Sequence, residues 1–430
     1  MNTAKALLLT IFLLGSVSLA AQNTSTTFSI QEAYERVRDH YPIAEKFEIQ
    51  NRITAFNRQL NQTGRYPNLL LSASTSYQSK VTEIPFAAPG TTSPAFSKDH
   101  YSVGLDINQP IYDGGKVRAL NKIEIIRDQV ENASIELDLY KIRRQIDELF
   151  FGIILLQKQY STLELMSEDI EAQLKLVAAR VKNGLILKGN ELVLQAEVMK
   201  LEQQKIAVKS SINVGYETLG LILESNFESQ PSLVYPELSE LEQKDTETIN
   251  RAELNLLKNQ KLLINEQVGL VAVDKLPTLA AFARTAYSRP GLNAFDDDMQ
   301  LYWMVGLKAQ WEFRSWRNAS KRTEVLKLQQ KKIDTEEDAF LRQLESGLSQ
   351  NYMQIIALKD QIELDKNIVL LREEVVKEKK SLLDNGAITS TEWLTELNAE
   401  HRARLELEAR QIELIKLNIE YLTKKGIAWN

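Results

Sequence analysis

The sequence predicts a mostly α-helical chain that carries membrane β-strands, on three observations: two very long helical hairpins, four short segments of period-two hydropathy, and an internal duplication that contains both. The chain has 430 residues, 43% of them apolar, with only 17 Gly and 10 Pro. From Leu139 the positions Leu139, Ile142, Ile146, Leu149, Ile153, Leu156, Tyr160, Leu163, Ser167, Ile170, Leu174, Val177 and Val181 alternate steps of three and four. All but Ser167 are apolar or aromatic, which makes a heptad seam. Between Gly115 and Lys182 there is no proline, so one continuous helix of 68 residues is expected, roughly 100 Å long. A second long block runs from about Trp316 to Asp384. Each is followed by a shorter antiparallel partner, about Asn190 to Leu219 and Glu392 to Lys425, where Leu405, Glu408, Ile412, Ile415, Ile419 and Leu422 step by three and four again. Both hairpins turn at Asn-Gly.

Four segments switch to period two. Leu69, Leu71, Ala73, Thr75 and Tyr77 alternate with more polar neighbours, as do Tyr101, Val103, Leu105 and Ile107; in the second half Leu279, Ala281, Ala283, Thr285 and Tyr287 alternate, then Leu301, Trp303, Val305, Leu307, Ala309 and Trp311. About ten residues of such alternation suits a tilted transmembrane strand, apolar toward lipid and polar toward a wet lumen. A half-buried soluble sheet has the same alternation. The first residues tilt the balance toward the membrane: Lys5, an apolar run from Ala6 to Leu14, and Ser18-Leu19-Ala20 read as an export signal over residues 1–20, cut after Ala20. No later run approaches the roughly 18 apolar residues of a membrane helix.

The halves are copies. YPNLLLSASTSY at Tyr66 to Tyr77 aligns with LPTLAAFARTAY at Leu276 to Tyr287 at an offset of 210; Val103-Gly104-Leu105 recurs as Val305-Gly306-Leu307, and Asn183-Gly184 as Asn385-Gly386, both at 202. The expected organisation is a first repeat over 21–220 (strands about 68–79 and 100–111, hairpin about 115–220), a connector over 221–247, and a second repeat over 248–430 (strands about 278–288 and 300–313, hairpin about 316–425). Four strands cannot close a barrel, and open strand edges in hydrocarbon cost several kcal/mol per unsatisfied group, so other chains must complete the wall.

Composition excludes several classes. With 52 Lys plus Arg against 58 Asp plus Glu, the net charge of -6 gives no footprint for nucleic acid. The absence of cysteine removes disulfides, thiolate metal sites, cysteine nucleophiles and an acylated lipoprotein cysteine. His40, His100 and His401 form no metal or catalytic motif, and neither a phosphate loop nor a nucleophile elbow occurs. No enzyme activity and no cofactor are expected. The six methionines are scattered, so no soft-metal cargo is indicated.

On VGLDINQPIYDGG at Val103 to Gly115, the duplicated proline-to-strand signature and the Gly-turn followed by LxAE in both halves, the chain resembles the TolC-like outer-membrane efflux proteins over about Phe28 to Gly426. The resemblance implies a homotrimer with a 12-stranded β-barrel in outer-membrane lipid and a 12-helix periplasmic α-barrel. It also implies a passive exit duct of a tripartite efflux or type I secretion system, served by a periplasmic adaptor and an inner-membrane pump, proton-driven or ATP-driven. Adaptor contact would then fall at the hairpin tips, Asn183, Gly184, Leu185 and Ile186 with Asn385, Gly386, Ala387 and Ile388. The periplasmic gate candidates are Glu392, which matches the family's first acidic position, and Thr395 with Glu396, where the pattern departs. Glu392 has a competing reading as a helix N-terminal carboxylate. Asp296, Asp297 and Asp298, in a loop expected outside the cell, either bind an ion or stay solvated. The rival to the duct is an exported coiled-coil scaffold with a small soluble sheet.

Overall fold

The computed structural model describes residues 27–81, 96–227, 229–239, 249–293 and 295–427. The expected export signal, most of the loop between the first two strands and the end of the connector lie outside these residues.

In chain order the elements are β1 (Thr27–Ser29), α1 (Ile30–His40), α2 (Pro42–Thr63), β2 (Asn68–Tyr77), β3 (Asp99–Tyr112), α3 (Lys116–Lys182), α4 (Lys188–Leu223), β4 (Ser232–Val234), α5 (Ala252–Val273), β5 (Thr278–Arg289), β6 (Gln300–Gln310), α6 (Arg314–Asp384) and α7 (Ser390–Lys425). The run α2-β2-β3-α3-α4 is repeated in order by α5-β5-β6-α6-α7. The long helices measure 67 and 71 residues, about 100 Å each at 1.5 Å per residue. Every position of the first heptad seam is buried or half-buried. It carries that much apolar surface because α3 has neighbours on several sides: α1, α2 and α5 along its upper half, α4 and α7 below.

The four long strands form one antiparallel sheet in the order β2-β3-β5-β6. The register pairs Leu71 with Leu105, Leu105 with Thr285, and Thr285 with Trp303. Directly paired residues share a face, so the alternating apolar sets of all four strands fall on one side of the sheet. The other side collects Ser72, Ser74, Asp106, Arg284 and Lys308. There Arg284 Nε lies 3.6 Å from Asp106 Oδ1. The recurring glycines Gly104 and Gly306 sit on this second side because neighbouring side chains fill the space: a Cβ at Gly306 would lie 2.8 Å from the Phe282 ring.

Bounds shift a little from those expected. The last strand ends at Gln310 rather than near 313, because Trp311 and Phe313 turn into a ring cluster with Trp316. The parallel β1–β4 pair and α1 were not expected at all. They cap a core near the middle of the long helices, built from Phe28, Ile146, Phe150, Tyr216, Leu219 and Ile419.

Candidate functional site

Two features are candidates for function: the lateral edges of the wall and the hairpin tips. Laterally the strands run β2-β3-β5-β6. The helices that continue them, α2, α3, α5 and α6, contact one another in that same order. One edge is therefore β2 with α2, and the opposite edge β6 with α6. Among the described residues both strand edges lack a partner within the chain. Their helices match this state: α2 exposes Ile49, Ile53, Phe56 and Leu60, steps of four and three, and α6 exposes Val325, Leu328, Met353, Leu364 and Leu371. Apolar stripes at helical spacing and unpaired strands on the same two edges call for a neighbour on each side.

At the tips, α3 ends at Asn183 and Gly184 (φ +71°), and α6 at Asn385 and Gly386 (φ +73°). The left-handed backbone lets Leu185 N–H reach Arg180 O (2.9 Å) and Ala387 N–H reach Leu382 O (2.9 Å). This closes the helix C-terminus, and a Cβ would strain it. Leu185 and Leu187 are 70% and 81% exposed. Ile186 and Ile388 instead turn inward, against a core of Met166, Leu194, Trp393 and Leu397. The two tips, far apart in sequence, touch: Ser390 N–H donates to Asn190 Oδ1 (2.8 Å), Arg180 Nη1 to Leu383 O (3.1 Å) and Gln173 Nε2 to Asp384 Oδ1 (3.0 Å).

The three gate candidates are engaged locally. Glu392 closes a capping box with Thr389, accepting from Thr389 N–H (3.1 Å) while Thr389 Oγ1 accepts from Glu392 N–H (3.3 Å). Thr395 Oγ1 donates to Thr391 O (2.9 Å). Glu396 pairs with Arg372 across the hairpin (2.9 Å). Farther along that hairpin Arg404 bridges Glu373 and Glu400, and Arg410 bonds the nearly buried Asp365. Sequence reasoning did not single out this ladder, since each pair joins helices 24 to 45 residues apart.

Of the acidic loop, Asp297 is held to about 2 by hydrogen bonds from Arg289 and Ser97, and Asp296 accepts from Gln300 and from Asp298 N–H. Among the described residues no cluster of three or more metal-ligating side chains occurs, and no helix is long and apolar enough to cross a membrane.

A sheet with one apolar face, continued at every strand by a helix, two of them about 100 Å long, has the form of a segment of a tubular wall. Residues 50–223 match the family described as Outer membrane efflux protein. The fold is TolC-like over nearly the whole chain. The outer membrane protein VceC from Vibrio cholerae is similar at TM-score 0.64 and 17% identity, over 91% of this chain and 95% of that one. The CmeC outer membrane channel of Campylobacter jejuni gives 0.65 and 12%, over 92% and 85%. The open state of the Neisseria gonorrhoeae MtrE outer membrane channel gives 0.63 and 11%, over 92% and 88%. No curated protein matches the sequence. The chain thus shares the fold of these outer-membrane channels, and its residues 50–223 carry the match to the outer membrane efflux family.

Proposed function

We propose that this chain is one third of a homotrimeric exit duct through the outer membrane, the last component of a tripartite efflux or secretion system. The observation that carries the reading is the matched pair of open edges. Strand and helix of each edge are unpaired together, and a head-to-tail contact between unlike edges closes into a ring if the rotation allows. Three copies would supply 12 strands and bury the exposed stripes of α2 and α6 against each other. The apolar sheet face then meets lipid, and the Asp106, Arg284 and Lys308 face lines a wet lumen.

The hairpin tips are the proposed docking point for a periplasmic adaptor. Exposed Leu185 and Leu187 on rigid, glycine-closed turns present a small apolar patch to a partner. Glu392, Thr395 and Glu396 flank the same entrance, where the Arg372–Glu396 pair would be broken or kept as the helices move. In this reading an inner-membrane pump supplies the energy and the duct conducts passively.

Purified trimer inserted into a planar lipid bilayer tests this directly. Discrete ohmic conductance steps are expected, together with a heat-modifiable oligomer on gels. A monomer that stays soluble and folded without detergent, and never raises bilayer conductance, would sink the proposal.

A further inference from the structure

The basic side chains at the junctions between strands and helices fall into two groups, and the sheet register separates them. Lys116, Arg314 and Arg322 line one recess together with Thr278 and Gln310. Those two residues are paired with each other and belong to the polar face of the sheet. Arg65 and Arg118 line a neighbouring recess, of about 500 Å³, which shares Asp113 with the first and is otherwise formed by Pro110, Ile111, Tyr112 and the Gly114-Gly115 turn. Tyr112 pairs with Leu279 across the bulge that ends β3, and so belongs to the apolar face. This second recess therefore opens at the periplasmic rim of the surface read as facing lipid.

Its chemistry is that of an anion cradle. Among the described residues neither the Arg65 nor the Arg118 guanidinium makes a hydrogen bond or ion pair, and both side chains are exposed. The single acid in the recess, Asp113, is held by the backbone, its carboxylate accepting from Gly115 N–H and Val117 N–H, both at 2.8 Å, and the nearby charge of Arg65 also favours its ionised form without an ion pair. Exposed Tyr66, Ile111 and Tyr112 stand beside the arginines as an interfacial platform. Guanidinium is the side chain best shaped for a phosphodiester, and aromatic rings at the same depth favour the headgroup boundary.

We propose that the Arg65–Arg118 recess binds the phosphodiester of an anionic phospholipid in the periplasmic leaflet of the outer membrane, one per protomer, and so fixes the depth of the barrel. The assignment rests on the outer-membrane reading above.

The test uses the full trimer in nanodiscs of phosphatidylethanolamine with a minority of phosphatidylglycerol, released for native mass spectrometry. Phosphatidylglycerol should be enriched among retained lipids by roughly tenfold over the bulk ratio, from two arginines at a charged interface. Arg65→Gln with Arg118→Gln should return it to the bulk ratio, while Arg65→Lys with Arg118→Lys keeps part of it. Undiminished enrichment in the Gln pair overturns the assignment. So does a rise in melting temperature with inorganic phosphate alone that equals the rise with anionic lipid, which would mark a small-anion site. Heat-modifiable trimers that insert normally yet show no lipid preference remove the cradle and leave the duct standing; failure to form trimers at all removes both.

Discussion

Asp147 is a carboxylate in an unfavourable place. It lies buried in α3, with Tyr34 Oη donating to Oδ1. Burial pushes its pKa up to about 7, against the opposing pull of the Tyr34 hydrogen bond and of Lys416 and Arg143. A raised folded-state pKa means that the native chain keeps a proton the unfolded chain has released. Its stabilising contribution is complete below about pH 4 and fades as pH rises toward 7, by on the order of 4 kcal/mol. Asp147→Asn should therefore flatten the pH dependence of helical melting between pH 4 and 7, followed by circular dichroism. An unchanged slope would show that the carboxylate is hydrated in the assembled protein. At the tips, Gly184→Ala or Gly386→Ala places a Cβ at φ above +70°. Each should cost about 1–2 kcal/mol and lower the melting temperature.

The second hairpin depends on charge where the first depends on apolar packing. α3 is covered along its seam, whereas the longer α6 buries only Ala319, Leu344, Ile355, Leu358, Ile362, Val369 and Leu383 among its described apolar residues. Its pairing with α7 is reinforced by Arg372–Glu396, Arg404–Glu373 and Arg410–Asp365. Asp365 is 7% exposed, so removing its partner strands a nearly dry carboxylate. Arg410→Met should destabilise the α6–α7 contact by about 2–3 kcal/mol. Faster amide exchange around residues 355–370 would report it, and adding Asp365→Asn should recover part of the loss. The two strand-to-helix junctions differ in the same spirit. Asp113 caps α3 through backbone amides, but α6 has no side-chain cap and is started by Trp311 and Trp316, whose Nε1 groups both donate to Lys275 O (3.0 and 3.2 Å).

For the whole molecule the decisive quantity is unpaired edge. β2 and β6 expose ladders of 10 and 11 residues, far more unsatisfied backbone than a bilayer tolerates. Because the chain has no cysteine, a thiol placed in β2 can be scanned against thiols along β6 on a clean background. Only inter-chain bonds should form, and they should link three chains into a closed ring. Cross-links within one chain would mean that the sheet curls on itself, and the trimeric duct would have to be abandoned.

Period-two and heptad patterns, read along the chain, were sufficient for the two long hairpins, the four strands and their apolar faces. All of these are local consequences of which side chains recur at which spacing. The same pattern could not reveal the contact between the two tips, the arginine ladder, the central β1–β4 pair or the split of basic residues between the two faces, because each joins segments distant in sequence. Glu392 shows the boundary well: the sequence offers it both as a gate candidate, through the resemblance, and as a helix N-terminal carboxylate, and the fold gives the second its partner, the Thr389 amide. Spacing settles which face a residue occupies, and the fold alone settles what stands opposite it.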